Sequence, residues 1–316
     1  MGLFDRTLVR LLPAVPRPLV QRLAGRYIAG PEVADAVRVV RGLNEGGKAA
    51  TVDVLGEEIT SVEEARSLTD EYEQVLAEVD LASLDASVSV KLTALGLKLD
   101  RELCRANLEE VVRDAARRGN VVTIDMEDSS TTDDALALYR ELRAAGLDNV
   151  GLVLQASLRR SLADARELAD LRPSVRLCKG IYVEPAELAF RDFGAVRANF
   201  TQVLEELLDS GCYVGIATHD EWLVEEGCRL VAERGLDSGR YEFQMLLGVR
   251  SSLGERIVSE GHRLRIYVPF GRHWYAYTLR RLQENPKIAG YVAADTLGRL
   301  LPGASARQLP ARSERP

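Results

Sequence analysis

Leu264-Arg-Ile-Tyr-Val-Pro-Phe-Gly-Arg-His-Trp-Tyr-Ala-Tyr-Thr-Leu-Arg-Arg-Leu-Gln-Glu-Asn-Pro286 is one strand followed by one helix, and it sets the unit by which the rest of the chain is read. An apolar strand is predicted over Leu264–Val268, then a break at Pro269 and Gly271, then a helix restarting near His273. Asn285-Pro286 closes that helix, because the residue before a proline is pushed out of the helical region. Residues three and four apart on a helix are neighbours, so Tyr277 lies beside Arg280 and Arg281, and Glu284 lies one turn beyond Arg280. Adjacent guanidiniums flanked by aromatics form a fork suited to a carboxylate. The plainer reading of the same residues is an exposed helix with a weak Arg280–Glu284 surface pair.

Upstream the same unit repeats. Apolar runs come at Ala49–Leu55, Ala86–Leu92, Val121–Met126, Val150–Gln155, Val175–Cys178, Cys212–Ala217 and Tyr241–Leu247, with Leu264–Val268 as the eighth. Amphipathic helical stretches separate them: Ser61–Val79, Asp100–Arg118, Thr132–Ala145, Ser161–Leu171, Pro185–Leu208, Glu221–Arg234 and Ser251–Glu260. Strands joined by crossover helices form a parallel sheet buried on both faces, and eight such units fit a (β/α)₈ TIM barrel better than an open sheet. The domain reading is an N-terminal helical arm over 1–45, a catalytic barrel over 46–300 and a disordered tail over 301–316.

Bulk composition narrows the function. The chain has 316 residues, ordinary hydrophobic (46%) and charged (28%) content, and a net charge of 41 − 48 = −7. That charge offers no basic footprint for nucleic acid. Cys104, Cys178, Cys212 and Cys228 show no metal-ligand spacing and fit a reducing compartment. His219, His262 and His273 form no HExxH-like arrangement, so no metal is expected. Gly42-Leu-Asn-Glu-Gly-Gly-Lys-Ala49 nearly spells a phosphate-binding loop, but Ala49 stands where Ser or Thr must reach Mg²⁺, and the helix precedes the glycines rather than following them. No apolar run reaches transmembrane length, and neither a signal peptide nor a myristoylation signature is visible, so a cytoplasmic location is expected. Leu3, Phe4, Leu8, Leu11 and Leu12, with Arg6, Arg10 and Arg17, make an amphipathic stretch that caps the main domain or touches a membrane surface.

Active sites of such barrels lie at the C-terminal strand ends. Those ends carry Asp53-Val-Leu-Gly-Glu57, Lys91, Asp125-Met-Glu-Asp128, Gln155, Arg176-Leu-Cys-Lys-Gly-Ile-Tyr182, Thr218-His-Asp220, Gln244 and Tyr267. One or two could be structural pairs; a polar group at every end points to catalysis. Lys91, Arg176, Lys179, Arg280 and Arg281 against Glu57 and Asp125 favour an anionic ligand or cofactor. Lys179-Gly180 supplies a cation with close backbone approach, as a phosphate needs. No Gly-rich fingerprint opens a helix after a strand, so a Rossmann NAD site is not indicated.

The chain resembles the monofunctional bacterial proline dehydrogenases and the catalytic domain of the bifunctional proline utilization enzymes. The matching stretches are DVLGE (53–57), SVKLTALG (89–96), TIDMED (123–128), VLQA (153–156), VRLCKGIY (175–182), IATHD (216–220), FQMLLG (243–248) and RIYVPFG…YTLRRLQEN (265–285). They fall in order at all eight strands. The resemblance implies a distorted barrel holding FAD noncovalently, with the eighth helix over the active site. It implies that Arg280, Arg281 and Lys91 bind the carboxylate of L-proline, that Tyr267 packs on the ring, and that Glu57 pairs with Arg280 to close the site. Asp125 and Arg176 become the catalytic pair near the flavin. Met126, Gln155, Lys179, Gly180, Ile181, Thr218 and His219 become FAD contacts, and Gln244 and Glu284 join that cofactor set. Cys178 and Ile181 depart from the usual valine and alanine.

The implied reaction is oxidation of L-proline to Δ1-pyrroline-5-carboxylate by hydride transfer from C5 to flavin N5. Electrons pass to a membrane quinone met by transient peripheral contact at the inner face of the plasma membrane. A functional link to pyrroline-5-carboxylate dehydrogenase follows, as the first step of proline degradation to glutamate. Two other readings stay open: a barrel aldolase or lyase using Lys91 or Lys179 as a Schiff-base nucleophile, and a non-catalytic amino-acid-binding barrel.

Overall fold

The computed structural model describes residues 25–56, 59–272 and 274. Helix α1 (Val33–Glu45) leads into β1 (Ala49–Val54), α2 (Val62–Leu81), β2 (Ala86–Val90), α3 (Arg101–Arg117), β3 (Val122–Ile124), α4 (Thr132–Ala144) and β4 (Val150–Gln155). Then come α5 (Ser161–Leu168) with a 3₁₀ turn (Ala169–Leu171), β5 (Ser174–Cys178), α6 (Phe193–Asp209), β6 (Tyr213–Ala217), α7 (Glu221–Glu233), β7 (Tyr241–Leu246), α8 (Ser251–Ser259) and β8 (Leu264–Phe270). All eight strands pair in parallel with their sequence neighbours, and β8 closes on β1. The expected (β/α)₈ barrel is the fold. The helix expected after β8, with Arg280, Arg281 and Glu284, lies outside the described residues, as do Glu57, the segment before residue 25 and residues 301–316.

Side chains alternate across a strand, so each strand sends one set outward and one inward. The outward set is apolar: Val52 and Val54, Val88 and Val90, Val122 and Ile124, Leu152 and Leu154, Val175 and Leu177, Val214 and Ile216, Phe243 and Met245, Ile266 and Val268 all sit in one buried cluster with the helices. Val33, Ala36 and Val40 of α1 join the same cluster. The inward set is polar, unlike the Val/Ile/Leu layers usual in such barrels. It includes Thr51, Asp53, Ser89, Asp125, Arg176, Glu242, Gln244, Arg265 and Tyr267, and some of these bond across the lumen between strands that are not neighbours, as Arg176 on β5 does to Ser89 on β2 and to Gln244 on β7.

Local sequence sets the starts. Ser61 Oγ accepts from Glu64 N at the head of α2, Asp100 does the same for Leu103 N on α3, and Asp192 for Ala195 N on α6. Two predicted boundaries are corrected. The helix expected from Pro185 begins only at Phe193, because the preceding residues are drawn across the barrel end as a loop. Glu184 there accepts from Ser129 N and Oγ at 2.7 and 2.6 Å, and Phe190 N donates to Ser157 O at 2.8 Å. Strand eight also does not break at Pro269. A residue's N and O point to the same side of a strand, and Pro269 O accepts from Ala29 N at 2.9 Å, on the side where β7 has already ended. The missing proline N–H therefore costs the β1–β8 ladder nothing.

Candidate active site

The polar groups converge where the strands end. On β1, Asp53 is fully buried (0% exposed) and its Oδ1 accepts from Lys91 Nζ at 2.6 Å. Lys91 follows the last residue of β2 and also lies 3.5 Å from the Tyr267 hydroxyl. That hydroxyl donates to Asp125 Oδ2 at 2.6 Å. Asp125, one residue past β3, accepts on Oδ1 from Arg176 NH1 at 2.5 Å and from Ser89 Oγ at 2.8 Å. Arg176 stacks its guanidinium 5.1 Å from the Tyr267 ring centre and gives its Nε–H to Gln244 Oε1 at 2.6 Å. Lys91, Asp125, Arg176, Gln244 and Tyr267, all expected at the site, are thus one connected network, with Asp53 and Ser89 completing it.

Electrostatics follow from this pairing. Burial, and then the Asp125 carboxylate, pushes the Tyr267 phenol well above its ordinary value, so it remains a hydroxyl donor. Burial also pushes the Cys178 thiol up to about 11, which makes it a neutral filler much like a valine. The expected excess of cations needs correction: Lys91, Arg176 and Lys179 each face a carboxylate, from Asp53, Asp125 and Asp220 respectively. The acids were undercounted because pairing across a barrel depends on register, which a strand-end inventory does not contain. Arg197 shares the Asp220 carboxylate with Lys179, so these two cations face a single acid.

A second group lines the ends of β4 to β6. Gln155 Nε2 donates to Met126 O and Glu127 O at 2.9 and 3.1 Å, fixing the loop after β3 and burying Met126. Gly180 has φ +88, and a Cβ there would stand 2.1 Å from Ser157 Oγ, so only glycine leaves this backbone open to close approach. Ser157 Oγ is itself buried with no hydrogen-bond partner among the described residues. Lys179 Nζ sits 3.4 Å from Asp220 and 4.8 Å from the centre of the Phe193 ring. Arg197 bonds Asp220 through Nε and NH2 at 2.9 and 2.6 Å and stacks on both Phe193 and Trp222. Thr218 is buried, with Oγ1 accepting from Asp220 N at 3.1 Å. His219 Nε2 accepts from Leu246 N at 2.9 Å, which puts the ring proton on Nδ1. Ile181, Phe193 and Trp222 are 47, 54 and 43% exposed beside these charges. A cation, an open glycine backbone, an unpartnered hydroxyl and exposed aromatics form a donor set suited to a phosphate-bearing aromatic cofactor.

Two open grooves lie elsewhere, one of about 430 Å³ among charged residues of α2 and α3, the other of about 360 Å³ around Asp85, Arg118 and Arg263 where strands begin. Neither touches the network. Cys228, Glu260 and His262 bring metal-ligating types within 4.8 Å, but also at the strand-start end, where His262 Nδ1 is tied to the Tyr241 hydroxyl at 2.7 Å.

Residues 36–294 match the family described as proline dehydrogenase. The chain is 37% identical over 269 residues to Proline dehydrogenase 1 of Bacillus subtilis (strain 168), covering 85% of this chain and 89% of that one. The chain belongs to the proline dehydrogenase family. It is also 35% identical over 299 residues to Proline dehydrogenase of Deinococcus radiodurans, covering 91% of this chain and 96% of that one. Proline utilization A from Bdellovibrio bacteriovorus, inactivated by N-propargylglycine, superposes with a TM-score of 0.80 at 24% identity, over 93% of this chain and 38% of that chain. That likeness concerns the fold, and this chain spans well under half of that longer protein.

Family membership agrees with the pairing of the lysines. A Schiff-base nucleophile must be a neutral amine. Here Lys91 Nζ is 2.6 Å from Asp53 and Lys179 Nζ is 3.4 Å from Asp220, so each amine is engaged by a carboxylate. In this chain, sequence reading missed Ser89, Ser157, Phe193, Arg197, Trp222 and Glu242. Ser89-x-Lys91, Glu242-x-Gln244 and Arg265-x-Tyr267 carry a two-residue period of polar groups, and that signal would have found the lumen-facing ones.

Proposed function

We propose that the chain oxidises L-proline to Δ1-pyrroline-5-carboxylate with noncovalently bound FAD, as the first step of proline breakdown to glutamate. Its product would be the substrate of a pyrroline-5-carboxylate dehydrogenase. The observation that carries this reading is the buried Asp53–Lys91–Tyr267–Asp125–Arg176 network at the C-terminal strand ends, in a chain whose family is proline dehydrogenase.

Each residue then has a task. Lys91, fixed by Asp53, would offer an ammonium to the proline carboxylate, and by the family resemblance Arg280 and Arg281 would complete the grip. Tyr267 keeps its proton and sets one wall against the ring. Asp125 holds Arg176 and Tyr267 together, so that the substrate wall and the guanidinium move as one piece. Such positioning can lower a barrier by about 7–11 kcal/mol in favourable cases. By the family resemblance Glu57 would pair with Arg280 to close the site; both lie outside the described residues. Lys179, the Gly180 backbone and Thr218 would hold the phosphates of FAD, and Ile181 would edge the flavin. Met126, Gln155, His219, Gln244 and Glu284 complete that set. FAD, when bound, would supply the two-electron acceptor for the C5 hydrogen, lost as hydride as the ring nitrogen forms the C=N bond, with a membrane quinone as the final oxidant. The N–H proton leaves to solvent.

Among the described residues no helix is long and apolar enough to cross a membrane. A cytoplasmic enzyme that meets the quinone through residues 1–18 at the inner membrane face fits this. The test is turnover of L-proline by the purified protein with a soluble quinone, with the product identified by mass. Formation of Δ1-pyrroline-5-carboxylate with quinone, and little with NAD⁺, is expected. Turnover with NAD⁺ alone, or a product other than the imine, would overturn the reading.

A further inference from the structure

One buried carboxylate in the barrel has no place in that mechanism. Glu242 on β7 is 1% exposed, and its Oε1 accepts from two donors, Arg265 Nε at 2.6 Å and Gln244 Nε2 at 2.7 Å. Its Oε2 takes a third bond from Arg263 Nε at 3.2 Å. Arg265 is anchored in turn, donating through NH1 to Ala50 O at 2.6 Å. The carboxylate is therefore fixed from below by two guanidiniums, with the Tyr213 hydroxyl bonding it as well, and it meets the Gln244 amide above.

That neighbour is a two-faced group, with a donor at one end and an acceptor at the other. Glu242 can only accept, so the amide must turn its NH2 downward and its oxygen upward. The oxygen then meets Arg176 Nε at 2.6 Å. A flipped amide would set a carbonyl against a carboxylate and an NH2 against a guanidinium. With Nε given to Gln244 and NH1 to Asp125 and Ser89, Arg176 keeps NH2 as the donor group that makes no hydrogen bond among the described residues. Gly215 on β6 leaves the room for this arrangement, since a Cβ there would lie 2.3 Å from Gln244 Nε2.

We propose that Glu242 is a positioning residue of the reaction: held by Arg263 and Arg265, it orients the Gln244 amide, which sets the roll of the Arg176 guanidinium and presents NH2 to the bound cofactor. This rests on the reading that Arg176 borders FAD. Glu242 touches neither substrate nor cofactor; it acts through Gln244, which makes the charge pairs deep in the barrel part of the active-site geometry.

Three variants test the relay. Gln244→Met removes the acceptor for Arg176 and leaves the Glu242–Arg265 pair intact. Gly215→Ala deletes no polar group but displaces the amide. Glu242→Met combined with Arg265→Met removes the orienting charge without leaving its main partner unpaired. Each is purified, and kcat, KM for L-proline, the FAD dissociation constant by flavin fluorescence, and the melting temperature are compared with wild type and with Arg176→Met. Loss of one hydrogen bond to a charged group corresponds to about a ten-fold effect. A fall in kcat and a weakening of FAD binding by that factor are expected in all variants that fold, with KM moving less than about three-fold. Gln244→Met and Gly215→Ala keep the test open if the double variant fails to fold. Lower melting temperatures with unchanged kcat and FAD affinity would make the chain of contacts merely structural and overturn the relay. If Arg176→Met itself left both quantities at wild-type values, the placement of Arg176 against FAD would be wrong, and the relay with it.

Discussion

Asp125→Asn is the perturbation that most directly loads the network. The carboxylate receives three bonds: from Arg176 NH1 at 2.5 Å, Tyr267 OH at 2.6 Å and Ser89 Oγ at 2.8 Å. Asparagine keeps the shape but loses the charge and turns one acceptor into a donor. A hydrogen bond to a charged group contributes about 1.5–3 kcal/mol against about 0.5–1.5 kcal/mol for a neutral one, so each contact weakens by about 1 kcal/mol. Three contacts give about 3 kcal/mol. At about 2–4 °C per kcal/mol for a large domain, the melting temperature should fall by roughly 6–12 °C. Asp125→Ala should cost about 3–5 kcal/mol, because it leaves Arg176 buried without its anion. If one of these contacts, worth about 1.4 kcal/mol, is used in the transition state, kcat for proline falls at least about ten-fold. Thermal melts and steady-state kinetics on the two variants check both numbers. An Asp125→Asn protein that melts within a degree of wild type and turns over normally would refute the claim that this carboxylate ties Arg176 to Tyr267.

Other outcomes follow from single features. Gly180→Ala should lower FAD retention after dialysis while leaving the barrel folded, since a Cβ would stand 2.1 Å from Ser157 Oγ at a φ of +88; full flavin content would move the cofactor away from β5. Burial acts to raise the native pKa of Glu242, but the charges of Arg265 and Arg263 and the hydrogen bonds from Arg265 and Gln244 together outweigh it, so the value is lowered. A depressed native value means stability present above the ordinary 4.5 and lost as pH falls through the lower value, so the melting temperature should drop steeply below about pH 4.5. Replacing Glu242 together with Arg265 should flatten that slope. Arg281→Met should raise the proline KM at least about ten-fold with FAD still bound, because a charge-assisted contact is lost; a fall in flavin content at unchanged KM would reassign that residue to the cofactor.

The sequence made the barrel legible for a simple reason. Val52, Val88, Ile124, Leu152, Leu177, Ile216, Phe243 and Val268 all face the helices, and an outward apolar residue on every strand survives any error in register. The clustering of polar groups at the strand ends was legible too, since Lys91, Asp125, Arg176 and Tyr267 need only their place on a strand to be brought together. Pairing was not. Whether Lys91 meets Asp53 or stands unpaired depends on the stagger of β1 against β2, where Asp53 lies level with Ser89. The loop between Glu184 and Asp192 was hidden for another reason: Pro185 looks like a first helical residue, and only the tertiary bonds to Ser129 and Ser157 override it. Glu242 was passed over because it sits at the start of a strand, where stability rather than chemistry is usually sought.

The central claim is that this chain takes two electrons from L-proline onto a flavin. The direct measurement is the visible absorption spectrum of the purified protein under anaerobic conditions, before and after addition of L-proline. A flavin spectrum that bleaches on proline and returns with a soluble quinone is the expected result. A colourless protein that turns over proline, or a bound flavin that proline leaves fully oxidised, would contradict the account.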